Sequence, residues 1–189
     1  MGNMRGVGTA AALFALLLSA CRPGLPPAPT PTAPRFPDLG LGSPAFADGE
    51  AIPARYTCDG ADRSPPLRWG PPPPGTRSLA LVVDDPDAPR GRFVHWLLYR
   101  IPPERTALPE GVPAEPTVAG LGVQGRNDFG RIGYGGPGPP PGPPHRYRFT
   151  LYALDIDPDL PPGASAAAVE RALQGHILAQ GSLTARYGR

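Results

Sequence analysis

Residues 79–101 read LALVVDDPDAPRGRFVHWLLYRI, two apolar runs joined by an acidic, proline-bearing turn. A short apolar run closed by turn residues is the pattern of a buried strand. Pro86 and Pro89 stiffen the turn by fixing φ. The carboxylates of Asp84, Asp85 and Asp87 are therefore expected where one strand ends, at the rim of a buried sheet, where binding sites are often built. In the second strand candidate, strict alternation sets Phe93, His95, Leu97 and Tyr99 on one face and Val94, Trp96 and Leu98 on the other.

Outward from this hairpin, strands are expected over Ser78–Val83, Phe93–Ile101 and His145–Leu154, the last with His145, Tyr147, Phe149 and Leu151 on a common face. Residues 71–75 and 102–116 read as loops, and residues 120–142 are exceptionally rich in glycine. One helix is clear: Ser165 is a fitting N-cap, Ala166–Leu173 are good helix formers, and Gly175 is a stop. Ala179, Gly181, Leu183, Ala185 and Tyr187 then alternate as a closing strand. Many short strands, abundant turns and little helix predict a mainly β, antiparallel body with one helix or a few at its edge.

Composition bounds the partners. The chain has 189 residues, enough for one domain with a real core plus additional segments. Its 31 prolines and 25 glycines approach low-complexity levels, yet 40 % of residues are hydrophobic and no long block of like charge occurs. All 18 cations are arginine, scattered among 16 acids for a net charge of +2. Without a basic stripe interleaved with aromatics, nucleic acid is not expected as a partner.

The N-terminus has its own logic. Residues 1–20 carry one positive charge, Arg5, an apolar stretch from Ala10 to Leu18, and the small residues Ser19 and Ala20. That is the layout of a secretory signal and too short for a membrane span. Leu18-Ser19-Ala20-Cys21 resembles a bacterial lipobox, which implies acylation of Cys21; ordinary cleavage leaving a plain thiol is the alternative. Residues 22–44 contain eight prolines and little that can pack. Residues 21–45 are therefore expected to be a lipidated cysteine and semi-extended tether, with the folded body over 46–189. The expected location is the cell envelope, at the outer face of a membrane.

Three features could converge on one rim: the acids of Asp84–Asp87, His95, and His145 with Tyr147 beyond the glycine-rich loop. Each alone has a plainer explanation, as a solvated turn, a satisfied core histidine or a bare loop tip. Taken in order, the motifs are more specific. YTCDG at 56–60, SPPL at 64–67, DPDAP at 85–89, HW at 95–96, QGRNDFG at 124–130, GYGGP at 133–137, HRY at 145–147 and GHILA at 175–179 resemble the phosphatidylethanolamine-binding protein family, in particular its bacterial Raf-kinase-inhibitor-like branch. The resemblance covers about residues 46–189. It implies an antiparallel β-sandwich of two sheets with a few peripheral helices and a small pocket for phosphate-like headgroups. The pocket residues it implies are Asp85, Asp87, His95, Gly135, Pro137, His145 and Tyr147. Many bacterial relatives carry a cysteine after GGP, where this chain has Gly138, so Cys58 is expected to be a free, buried thiol.

Chemically, the amides of a glycine-rich turn can form a concave nest for an anion. Two histidines add donors, and positive charge if the nearby aspartates favour protonation. The aspartates are expected to orient His95 and His145 or to meet an ammonium group. No serine or cysteine lies in residues 84–101 or 125–151, which argues against acyl-enzyme chemistry. No short-spaced metal-ligand motif occurs. The expectation is a non-enzymatic module, without metal or cofactor, that binds a phosphate-containing small molecule or phospholipid headgroup beside the membrane. A protease or kinase inhibitor with an unidentified protein target, and an Asp/His hydrolase, are the alternatives.

Overall fold

The computed structural model describes residues 36–189. The signal segment, Cys21 and most of the expected tether lie outside the described residues. In chain order the strands are β1 (Leu67–Arg68), β2 (Ser78–Asp85), β3 (Phe93–Ile101), β4 (Ala107–Leu108), β5 (Thr117–Val118), β6 (Gly122–Gln124), β7 (His145–Leu154) and β8 (Ile177–Tyr187), with helix α1 (Ala166–Leu173) between the last two. Six of them form one sheet in the order β5-β6-β3-β2-β7-β8, and β1 pairs with β4 in a second, two-stranded sheet. Every pairing between these strands is antiparallel.

The hydrophobic pattern explains the layering. All eight residues of β2 are buried, because both faces of the large sheet are covered. On one face Leu79, Leu81, Val83, Trp96, Leu98, Phe149 and Leu151 pack with residues preceding and flanking the small sheet, among them Phe46, Ile52, Tyr56, Leu67 and Trp69. On the other, Ala80, Val82, Val94, Leu97 and Tyr99 pack under Val169 and Leu173 of α1. The helix starts where Ser165 accepts from the Ala168 N–H, and Gly175 follows it at φ 82°. The mainly β, antiparallel fold and this helix match the sequence. The second sheet is smaller than a sandwich layer suggests, and among the described residues α1 is accompanied only by a single 3-10 turn, Ala54–Tyr56.

Three features depart from the sequence reading. First, the packed chain begins before residue 46. Leu39 donates its N–H to Gln180 O at 3.1 Å, and Leu39 and Leu41 are buried. They fit because Gly181 of β8 has no side chain: a Cβ there would stand 3.0 Å from that of Leu39. Second, β2 runs on through Asp84 and Asp85, both buried, so only Asp87 of the three acids sits on the turn proper. Third, alternation along β3 is broken. Pairing passes from Val83↔Trp96 to Asp84↔Val94, leaving His95 as the extra residue of a β-bulge. His95 and Trp96 thus turn toward the same cluster, whereas Leu97 and Tyr99 join Val94 under the helix.

Candidate functional site

Asp85 ends β2, and the chain folds back so that the Asp87 N–H donates to Asp85 Oδ1 at 2.8 Å. This turn across Pro86 fixes the carboxylate and leaves Oδ2 for His145, the first residue of β7, at 2.7 Å from Nδ1. A carboxylate oxygen accepts, so Nδ1 of His145 carries the proton and Nε2 is the free ring nitrogen. Asp85 is thus the orienter of His145.

The bulge delivers His95 to the same place. Its Nδ1 donates to Gly135 O at 2.7 Å, while the Gly135 N–H donates to His95 O at 3.0 Å. That reciprocal pair seats the glycine-rich loop on β3, so a backbone carbonyl, not an aspartate, orients His95. Phe93, Phe129 and Tyr147 stand edge-on to its ring at 5.3, 5.2 and 5.2 Å. Burial pushes its pKa down, outweighing the bond to Gly135 and the charges of Asp85, Asp128 and Asp84. The positively charged histidine expected from sequence is therefore disfavoured at this position. His95 is neutral, with Nε2 as an acceptor.

Tyr147, two residues along β7 from His145, is 1 % exposed. Its hydroxyl is buried and makes no well-formed hydrogen bond among the described residues; its polar neighbours are the Asp85 carboxylate and the Gly138 N–H. Burial and the nearby Asp85 charge raise its pKa, so it stays a phenol and a donor. Asp85, His95, His145 and Tyr147 together line a cavity of about 240 Å³, whose remaining wall is Ala88, Pro89, Phe93, Phe129, Gly138, Pro139 and Pro140. Larger, more open grooves lie beside Arg100 and Val118, beside Arg68 and Leu183, and beside Ile52 and Tyr187, and none gathers a histidine.

The other expected site residues lie around this cavity without lining it. Asp87 is clamped by Arg146, whose Nε and Nη2 donate at 2.8 and 2.6 Å and whose backbone N–H adds a third bond at 2.9 Å. These bonds hold its carboxyl well below the usual carboxylate range. Asp87 pins the turn to β7; it orients neither histidine. Gly135 acts through its backbone on His95. Pro137 accepts the Cys58 N–H at 2.9 Å and ties the loop to the turn after residue 56. The Gly136 N–H is taken by Asp62 Oδ1 at 2.6 Å. The expected amide nest is thus largely spent on protein acceptors, and prolines at 137 and 139–141 supply no N–H. Cys58 is free as expected but exposed, because its thiol faces Gly138 and Arg189 at the surface.

Sequence reasoning missed two contributors. Asn127 is buried and knits the loop: Nδ2 donates to Gly133 O at 2.9 Å, and Oδ1 accepts the N–H groups of Phe129 and Arg131. Phe129, 47 % exposed, is the one exposed large hydrophobic side chain among the described residues, and it stands at the cavity mouth against Phe93 at 4.8 Å. Both fall within QGRNDFG; an asparagine beside a glycine turn was a usable signal, whereas the position of Phe129 depends on the bulge.

Comparison with known proteins identifies the family and the fold. The family model described as phosphatidylethanolamine-binding protein matches residues 42–188. A UPF0098 protein of Methanothermobacter thermautotrophicus is 49 % identical over 151 residues, spanning 80 % of this chain and 99 % of that one. A Mycobacterium tuberculosis protein named as a candidate lipoprotein, LppC, is 46 % identical over 145 residues, 76 % of this chain and 69 % of its own. Among solved structures, Escherichia coli YbcL, described as a new member of the mammalian PEBP family, superimposes with a TM-score of 0.75 at 34 % identity, covering 80 % of this chain and 99 % of that one. The Chlamydia trachomatis PEBP homologue CT736 gives 0.73 at 37 % identity, covering 80 % and 98 %.

Proposed function

The chain belongs to the phosphatidylethanolamine-binding protein family, and on that premise we propose that it is a non-enzymatic binding module for a small phosphate-bearing molecule or phospholipid headgroup. The polar end of the ligand sits among His95, His145 and Tyr147, and its apolar part lies against Phe93, Phe129 and the prolines of the mouth. The observation that carries this reading is the orphaned Tyr147 hydroxyl. A buried polar group without a partner costs about 1–3 kcal/mol, and a ligand oxygen removes that cost. The cavity wall holds no serine, threonine, cysteine or lysine, so covalent chemistry based on those four has no nucleophile there. Asp85 and Asp87 contribute as positioning residues, the first through His145 and the second by fixing the turn; Gly135 and Pro137 place the loop.

Tethering belongs to the same proposal. Cys21 follows a small-residue cleavage site, and a relative carries a lipoprotein name, so acylation at Cys21 and a proline-rich tether would hold the binding domain at a membrane surface.

Tyr147→Phe separates binding from folding. Calorimetric titration with O-phosphoethanolamine is expected to show about 10–100-fold weaker binding, the loss of one hydrogen bond to a charged group. The free variant is expected to be as stable as the parent or up to about 1–3 kcal/mol more stable, since the orphaned hydroxyl is gone. Unchanged affinity would contradict the assignment.

A further inference from the structure

We infer that the cavity takes phosphate in its hydrogen-bearing, singly charged form and so distinguishes phosphate esters from sulfate esters of the same shape. The inference rests on the phosphate-binding reading above and narrows it to the small phosphate monoester, since a phospholipid headgroup is a diester without a P–OH, and it adds the ionic form of that ligand. It follows from a count of donors, acceptors and charges. The Nδ1–H of His95 is committed to Gly135 O and that of His145 to Asp85 Oδ2, so each ring has only Nε2 left to meet a ligand, and on the buried, neutral His95 that nitrogen is an acceptor. The donors are the Tyr147 hydroxyl and the Gly138 N–H, the one amide in the run 137–141; neither makes a well-formed hydrogen bond among the described residues, and they neighbour one another beside Asp85.

Charge points the same way. The one formal charge in the cavity wall is the Asp85 carboxylate, and no arginine lines it. Arginines around the cavity are paired with carboxylates: Arg146 with Asp87, Arg148 and Arg92 with Asp84, Arg131 with Asp62, and Arg189, beside Gly138, with Asp59. A dianion would meet a negative charge with no permanent cation to offset it. A phosphate monoester monoanion suits the site, because its P–OH donates to His95 Nε2 while its other oxygens accept from Tyr147 and Gly138. A sulfate ester has no proton to give, and a site built to accept one rejects it.

The groups that bear on His95 from the packed elements are Asp84 and Asp85 of β2, Asp128 after β6, and His145 and Tyr147 of β7. Burial outweighs the three carboxylates and lowers the His95 pKa, in keeping with a neutral acceptor. Were a histidine instead protonated on binding, it would serve phosphate and sulfate alike.

The matched pair O-phosphoethanolamine and ethanolamine O-sulfate tests this on the full chain by calorimetry between about pH 5 and pH 8. The phosphate ester loses its second proton near pH 6. Its affinity is expected to be level below that point and to fall about tenfold per unit above it, with about one proton taken up at pH 8. The sulfate ester is expected to bind more than tenfold more weakly even at about pH 5. His95→Asn, which keeps a donor for Gly135 O but loses Nε2, is expected to bring the phosphate-to-sulfate ratio toward one. Comparable binding of the two esters, or a phosphate affinity independent of pH, would overturn the inference while leaving an anion pocket standing. Failure of both esters to bind would overturn the phosphate-binding reading with it.

Discussion

His95 and His145 are both held through Nδ1, but by acceptors of different charge, a backbone carbonyl for the first and a carboxylate for the second. For His95 this has a consequence for folding as well as for binding. The unfolded chain protonates the residue near pH 6.5, whereas the folded chain does so only at lower pH. The unfolded state therefore binds more protons in that window, and its contribution to stability is complete above about pH 6.5 and declines as pH falls toward the lowered folded value. Denaturant melts at about pH 5 and 7.5 should show this, and His95→Asn is expected to remove that part of the slope. That an aspartate of this segment would orient His145 was expected from sequence, but which one was not, because no pattern in the sequence sets β7 beside β2 in register. The partner of His95 was not legible either, since a carbonyl from residue 135 carries no side-chain signal.

At the scale of elements, the site depends on a bulge and a loop. The bulge turns His95 into the same cluster as Trp96, and no alternation rule applied to FVHWLLYRI could have found it. The strands themselves and α1 were readable from apolar runs, an N-cap and a glycine stop. The short strands β1 and β4–β6 were not, because two or three residues carry no period. The loop is held by close approach at Gly136, where a Cβ would lie 2.6 Å from Asp62 Oδ1 and 2.8 Å from both Thr57 Cα and Tyr56 O. Two of those neighbours are backbone atoms, so the loop itself must move. Gly136→Ala is expected to destabilise the fold by about 1–3 kcal/mol and to weaken O-phosphoethanolamine binding, as Gly135 leaves His95. Melts and titration of one preparation check both; a destabilised variant with full affinity would separate the loop from the site.

For the whole molecule, the large sheet is a platform with the cavity at one end. His145 and Tyr187 pair at that end of β7 and β8, while the chain from Pro37 joins the edge of β8 at Gln180, seven residues farther along. Sequence could not place this junction, since Leu39 and Leu41 look like isolated residues among prolines until Gly181 is set beneath them. The chain has only three histidines, which makes the central claim directly observable. His95 and His145 line the cavity, and His176 bonds to Asp155 where β7 and β8 meet at the opposite end. Imidazole nitrogen NMR of the full chain, recorded as O-phosphoethanolamine is added, follows all three. The expected result is a neutral, Nδ1-protonated His95 before ligand, movement of Nε2 in His95 and His145 on addition, and an unchanged His176. A His95 protonated at Nε2 from the outset, or ligand saturation that leaves both cavity histidines unmoved, would contradict the account.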